Sequence, residues 1–386
     1  MAREAVLKIK TQGVLKMNNY RLTVVIGRFQ PFHIIHKQLI EKALSFGEKT
    51  LVILGSAQKA PDVKNPFTPS VREEMIRACF SDEDNARLAF RPLRDHPYNE
   101  NNWISEVQNI VRTEQEEILD KSGVEFDPVR HNILLGQVRT ALVGHYKDSS
   151  SYYLRVFPQW TFEEIHSDRT LSNTLNATDI RKLLFEEKKG WEELVPKSLV
   201  KRLNEFKKTE AFKTLAKEHA YVTDYREKSK FVGFPFAPTF VTTDAVCVAR
   251  GHILLVRRGH QPGLGQIALP GGFLAQGIRL KDNCVKELRE ETSINVDLNT
   301  LRRAITAHEV FDDPERSQRG RTITHAFFLE LFPKLEDGLP LVKGGDDADK
   351  AFWLPLSALG KMEDEFFEDH YEIIRFFLDT PVNREK

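Results

Sequence analysis

Apolar positions along this chain follow two alternating rhythms. Leu22-Thr-Val-Val-Ile26 is a continuous, β-branched run ended by Gly27, the pattern of a buried strand. Lys37–Phe46 places Leu39, Ile40, Ala43 and Leu44 at helical spacing, with Gly47 as a stop. Thr50–Gly55 is strand-like again, and Ser70–Phe80 is helical behind Pro69, followed by the polar stretch 81–85. Asn132–Gly136, Ala141–Gly144 and Tyr152–Phe157 predict further strands. Strands and helices joined by short glycine-bearing turns imply parallel strands with right-handed crossovers, hence a doubly wound sheet.

After Ile180 the chain turns charged and helical, over Lys197–Lys208 and Glu210–His219. Phe231-Val-Gly-Phe-Pro-Phe-Ala-Pro238 has no periodicity and reads as a domain boundary. Beyond it, Thr239–Arg250 and Ile253–Arg257 alternate like paired strands around Gly251. Asp282–Thr292 predicts a helix and Ala326–Phe332 a strand.

Length supports two domains, since 386 residues exceeds the roughly 100–200 of one. Lys plus Arg and Asp plus Glu are 56 each, a net charge of +0, which argues against nucleic-acid binding by bulk electrostatics. No apolar run approaches the roughly 20 residues of a membrane span. Cys79, Cys247 and Cys284 are too scattered for a disulfide framework or a zinc site, so a cytoplasmic, reducing location is expected. Residues 1–20 read as a basic tail, with Met17 as an alternative start.

Candidate chemistry changes the picture at two places. Strand Leu22–Ile26 runs into Gly27-Arg28-Phe29-Gln30-Pro31-Phe32-His33-Ile34-Ile35-His36, which opens a helix. Helix N-termini offer unpaired N–H groups and the positive dipole end, a place for phosphate. Gly27 would let backbone approach a ligand, and His33 and His36 would donate from one face. The bland alternative is a pair of capping or surface histidines.

This run resembles the H-x-G-H family of nucleotidyltransferases, with Ile35 where that family usually has glycine. With Gly55-Ser-Ala-Gln58, Asn65-Pro-Phe-Thr68, Arg72-Glu73, Asn101-Asn-Trp103, Gly144-His-Tyr-Lys-Asp148 and Asn176-Ala-Thr-Asp-Ile-Arg181, it is similar to the archaeal-like nicotinamide mononucleotide adenylyltransferases. The resemblance implies a Rossmann-like domain that transfers the adenylyl group of ATP to nicotinamide mononucleotide. It implies His33, His36 and Arg181 at the ATP phosphates, with Gly27, Arg28, Phe29, Gln30, Gly144, Asn176 and Thr178 beside them. Asn102 and Trp103 would lie near the nicotinamide, and Mg²⁺ would neutralise the triphosphate. Trp103 alone reads nearly as well as a core residue. Related adenylyltransferases often assemble, which leaves room for a homo-oligomer.

The second place is Gly271-Gly272-Phe273 before a helix ending Lys286-Glu287-Leu288-Arg289-Glu290-Glu291-Thr292. Glu287, Glu290 and Glu291 fall at i, i+3 and i+4, so one face carries three carboxylates suited to Mg²⁺ or Mn²⁺. A solvated acidic face paired with Lys286 or Arg289 is the plain alternative. The segment resembles the Nudix box, matching at Gly272, Glu287, Leu288, Glu290, Glu291 and Ile294. Ile278 replaces the first glutamate, Lys286 the arginine and Ser293 the glycine, while Arg279 sits where a capping serine is common. Phe311-Asp-Asp-Pro314, Arg319-Gly-Arg-Thr-Ile-Thr-His325 and Gly344-Gly-Asp-Asp-Ala348 are similar to the ADP-ribose-type Nudix domains fused to such adenylyltransferases.

The resemblance implies an α/β/α Nudix sandwich with a mixed sheet. Glu290 would be catalytic there, and Arg319 and Arg321 would hold the pyrophosphate of ADP-ribose during its hydrolysis to AMP and ribose 5-phosphate. The expected layout is a tail over 1–20, the transferase over 21–205, a helical linker over 206–237 and the Nudix domain over 238–386. A Nudix domain with an altered box that binds ADP-ribose as a regulatory sensor stays open. So does a first domain that passes AMP or CMP to another acceptor, although the Asn101-Asn-Trp103 set argues against it.

Overall fold

Every strand of the first sheet is parallel to its neighbours, because the chain crosses back over one face before each new strand. The computed structural model describes residues 19–121, 138–145, 149–165, 176–228, 237–333, 338–344 and 348–379. Within it β1 (Tyr20–Gly27), α1 (Ile34–Phe46), β2 (Gly47–Leu54), α2 (Pro69–Arg77), α3 (Asp82–Arg87), β3 (Leu88–Pro92), α4 (Glu100–Asp120), β4 (Thr140–Gly144) and β5 (Thr161–Glu164) follow in turn. The strand order is β3-β2-β1-β4-β5. Order reverses between β1 and β4, which opens a crevice at their carboxyl ends.

Alternate side chains of β1 serve two cores. Val25 packs with Ile40 and Ala43 of α1, while Leu22 and Val24 pack with Val107 and Val111 of α4. Helices α5 (Ala177–Phe185), α6 (Lys197–Phe206) and α7 (Glu210–Lys228) close the first of these cores through Ile180, Leu199, Phe212 and Leu215.

The second sheet runs β6 (Phe240–Ala249), β7 (His252–Arg258), β8 (Ile267–Ala268), β9 (Gly271–Phe273), β10 (Ile305–Phe311), β11 (Thr322–Leu331) and β12 (Ala348–Pro355) along the chain. It is mixed: β11 lies parallel to β6, and the other pairings are antiparallel. Helix α8 (Leu280–Thr292) covers one face, packing Cys284, Val285 and Leu288 on Ala245 and Cys247, with α9 (Leu298–Arg303) adding Leu301. Helix α10 (His370–Asp379) covers the other, packing Ile373, Ile374 and Phe377 on Val246 and Val248. Alternation along β6 thus builds the expected α/β/α sandwich.

One strand expectation fails. Residues 149–155 form a 3-10 turn, and the strand comes later as β5. Ser151, Leu154 and Phe157 are buried at a spacing of three, the 3-10 period, which a strand would not sustain. The expected strand at 132–136, the tail up to residue 18 and most of the aperiodic stretch 231–238 lie outside the described residues. Among the described residues, no helix is long and apolar enough to cross a membrane.

The domains meet along a polar seam. Lys64 pairs with Glu315 at 2.7 Å, Gln266 Nε2 donates to Pro61 O at 3.3 Å, and Arg94 pairs with Glu363.

Candidate active sites

A cavity of about 1230 Å³ opens at the β1/β4 switch point. The ends of both strands line it, together with the β1–α1 loop and the start of α5. Two helix N-termini meet there. His33 is the N-cap of α1, its Nδ1 accepting the His36 amide at 3.4 Å, and Asn176 is the N-cap of α5, its Oδ1 accepting the Asp179 amide at 2.9 Å. Both helices present their positive ends to the same space.

The two histidine rings stack with centroids 3.5 Å apart. Burial, and next the neighbouring His33, push His36 well below the ordinary histidine range, and its Nδ1 is buried without a hydrogen-bond partner among the described residues. Arg181 is buried, donating from Nη1 to Gln30 O at 2.5 Å and from Nη2 to Thr178 Oγ1 at 3.1 Å. Burial, reinforced by Arg28, lowers it to about 10, which still leaves it cationic at neutral pH. Arg28, Ile35, Gly144 and His145 complete the wall.

Gly27, Phe29, Gln30 and Gly144 line this cavity and also build the scaffold around it. Gln30 is buried with both ends of its amide used, Nε2 on Phe67 O at 2.8 Å and Oε1 on Phe67 N at 3.0 Å. Phe29, at φ 52°, turns its ring under Gly27, where a Cβ would lie 2.9 Å from the ring. Glycine at position 27 therefore makes room for Phe29. Gly144 likewise admits Leu154, since a Cβ there would lie 2.5 Å from a Leu154 methyl.

Arg72 is fully buried and ties the ends of β1 and β2 together, donating to Arg28 O at 2.7 Å and Gly55 O at 2.6 Å. Its position in a quoted motif was visible, but not this carbonyl-binding role. A second, interdomain cavity of about 920 Å³ shares Arg28 with the first and includes Trp103. Trp103 is half-buried against Tyr153 and Phe157, whereas Asn102 is exposed, its backbone N–H donating to the Asn99 cap.

In the second domain α8 carries Glu287, Glu290 and Glu291 as the spacing requires, but they are not gathered at one point. Lys286 Nζ draws Glu287 at 3.0 Å and Glu290 at 2.7 Å, while Glu291 Oε2 accepts the Gly271 amide at 3.0 Å. Among the described residues, no group of three His, Cys, Asp or Glu side chains is assembled as a metal site. Glu291 is pushed up to about 8, by burial first and then by Glu287 and Asp244, against the Gly271 amide and Arg258. That is a carboxyl short of positive charge.

The diglycine cradle leaves room for two acids, Glu287 and Asp244. A Cβ on Gly272 would lie 2.5 Å from Glu287 Oε2, and one on Gly271 would overlap Asp244. Asp244, buried on β6 and accepting the Thr324 hydroxyl at 2.5 Å, is a fourth acid, outside the motifs visible in the sequence. Its signal was weak: one acid inside an apolar strand. Arg279 stands at the N-cap of α8 with no side-chain cap bond, and Ser293 ends the helix at φ 44°.

Arg319 lies over the Phe273 ring at 5.3 Å with Glu368 3.7 Å away, next to this cradle. Arg321 instead ties its own loop, donating to Asp312 O at 2.5 Å.

Residues 239–377 match the NUDIX domain family model, and residues 24–148 match the cytidylyltransferase-like model. The nicotinamide/nicotinic acid mononucleotide adenylyltransferase of Acinetobacter baylyi is 35% identical over 203 residues, 53% of this chain and 95% of that protein. The nicotinamide-nucleotide adenylyltransferase of Thermococcus onnurineus is 32% identical over 192 residues, 50% of this chain and 86% of that protein. A bifunctional NMN adenylyltransferase/ADP ribose pyrophosphatase from Francisella tularensis, crystallised with AMP and a manganese ion, is 32% identical. It aligns at a TM-score of 0.81, covering 93% of this chain and 99% of that one.

Proposed function

The chain belongs to the family of nicotinamide-nucleotide adenylyltransferases that carry a Nudix domain, and on that premise we propose a division of labour between its two halves. The first domain joins ATP to nicotinamide mononucleotide at the switch-point cavity. An oxygen of the mononucleotide's 5′-phosphate attacks the α-phosphorus of ATP; the new P–O bond forms as the bond to pyrophosphate breaks, giving NAD.

The attacking phosphate is already ionised near neutral pH, so no side chain has to remove a proton. Catalysis then rests on position and charge. Arg181 and Arg28 supply fixed positive charge, and the N-termini of α1 and α5 supply oriented amides. His33 and His36 donate ring N–H groups. A phosphate beside His36 favours its protonated form, against the burial that now holds it neutral. The His36 ring, stacked on His33 beside Arg181 with its Nδ1 unpartnered among the described residues, is the observation that carries this assignment.

The second domain hydrolyses ADP-ribose, adding water across the pyrophosphate to give AMP and ribose 5-phosphate. Glu287, Glu290 and Glu291 fit a hard divalent cation: the donors are all oxygen, and Glu291 is buried near the acids Glu287 and Asp244. Mg²⁺ is the cation we assign, with Mn²⁺ as a substitute. Such a cation supplies charge that polarises the pyrophosphate oxygens. Arg319 would add a cation to the same pyrophosphate, held in place by Phe273 and Glu368. One observation favours a second reading, an ADP-ribose sensor: the Lys286 ammonium holds Glu287 and Glu290.

The purified chain is incubated with ATP and nicotinamide mononucleotide, and separately with ADP-ribose, each with Mg²⁺ or Mn²⁺, beside Glu290→Gln. NAD from the first mixture and AMP from the second, lost in Glu290→Gln, support both activities. ADP-ribose bound but not cleaved selects the sensor.

A further inference from the structure

Tyr98 belongs to the first domain by sequence and to the second by packing. Its ring lies on Phe311 at 4.8 Å, edge to face, and joins the apolar cluster beneath α10. Its hydroxyl donates to Asp369 Oδ2. Asp369 is buried and gripped by both arms of Arg316, at 2.9 and 2.8 Å, so the acceptor is fixed before Tyr98 reaches it.

Tyr98 is one residue from the start of a functional wall. Asn99, next in the chain, is the N-cap of α4, and the Asn102 and Trp103 amides both bond to it. Moving Tyr98 therefore moves the cap and the first turn of α4, and with them Trp103. The segment before Tyr98 is equally tied: Asp95 accepts Ser56 N and Oγ at 3.2 and 2.8 Å, and Arg94 pairs with Glu363 of the second domain. Behind this segment lies the cavity of about 920 Å³, bounded by Arg28, Asp95 and Trp103 from one domain and by Arg316 and Asp369 from the other. Through Arg28 it adjoins the switch-point cavity where the transfer is placed.

We propose that Tyr98 is a positioning residue of the adenylyltransferase, and that the second domain, by seating Tyr98 between Phe311 and the Asp369–Arg316 pair, supplies part of the mononucleotide subsite. This rests on nicotinamide mononucleotide being the first domain's substrate. The second domain thus has a task in NAD formation that does not depend on its own hydrolytic activity.

The test uses the full chain and its Tyr98→Phe and Tyr98→Ala variants. NAD formation is measured against nicotinamide mononucleotide at saturating ATP, and against ATP at saturating mononucleotide, alongside thermal melting. For Tyr98→Ala the expected result is a KM for the mononucleotide raised roughly ten- to a hundredfold, the scale of a misplaced binding group. The KM for ATP and kcat should stay within about twofold of the parent. Tyr98→Phe, which keeps the ring on Phe311, should show a smaller rise in the same constant. An unchanged mononucleotide KM in both variants overturns the proposal; so does a fall in kcat alone that tracks a lower melting temperature. Should Tyr98→Ala not fold, Tyr98→Phe decides: an unchanged KM overturns the proposal. A parent that forms no NAD sinks the substrate assignment itself, a result visible before any variant is compared.

Discussion

Glu218 of α7 accepts the Gly263 amide at 3.2 Å, and through that bond the last helix before the second sheet grips the β7–β8 loop. Burial pushes the Glu218 carboxyl up to about 7; Asp62 and Glu368 add to the rise, and the Gly263 amide and Arg258 oppose it. The folded chain keeps this proton up to about 7, whereas the unfolded chain releases it near the ordinary value of 4.5. Between those limits the folded state binds more protons, so stability falls as pH rises through the window.

Glu218→Gln keeps an acceptor for Gly263 and removes the titration. Its melting temperature should fall less steeply than the parent's between about pH 5 and 7. Part of the slope remains, because burial also raises Glu372 to about 7. Parallel melting curves for parent and variant would remove Glu218 from this role.

Ser293 ends α8 at φ 44°, a left-handed conformation that glycine adopts without strain. Ser293→Gly should raise stability by about 1 kcal/mol, read by urea unfolding. A loss of stability would show that the serine makes a compensating contact.

Gly272→Ala would set a methyl 2.5 Å from Glu287 Oε2 and force that carboxylate aside. Manganese binding by calorimetry should weaken about tenfold or more, as when the support of a metal ligand is lost. Unaltered affinity would separate Glu287 from the cation.

Much of this was legible in the chain because it lies in local pattern. The run Leu22–Ile26 into Gly27, and the spacing of Glu287, Glu290 and Glu291, place β1 and α8 correctly. What was not legible depends on partners far along the chain. Gln30 sits in a motif yet spends its amide on Phe67, 37 residues away. Tyr98 means nothing until Asp369, 271 residues on, comes to meet it. Tyr152–Phe157 reads as a strand because a short apolar run does not declare its period. The pairing of Lys286 with Glu287 and Glu290, by contrast, is local, and the plain alternative for this helix face names Lys286 as the partner.

The most direct measurement sets the two proposed sites against each other in one experiment. The full chain, His36→Ala and Glu290→Gln are assayed for NAD from ATP and nicotinamide mononucleotide, and for AMP from ADP-ribose. His36→Ala is expected to lose NAD formation by about a hundredfold or more while keeping AMP release, the size seen when one stabilising donor is removed. Glu290→Gln is expected to do the reverse. NAD formed by His36→Ala at the parent's rate would contradict the phosphate site at the head of α1.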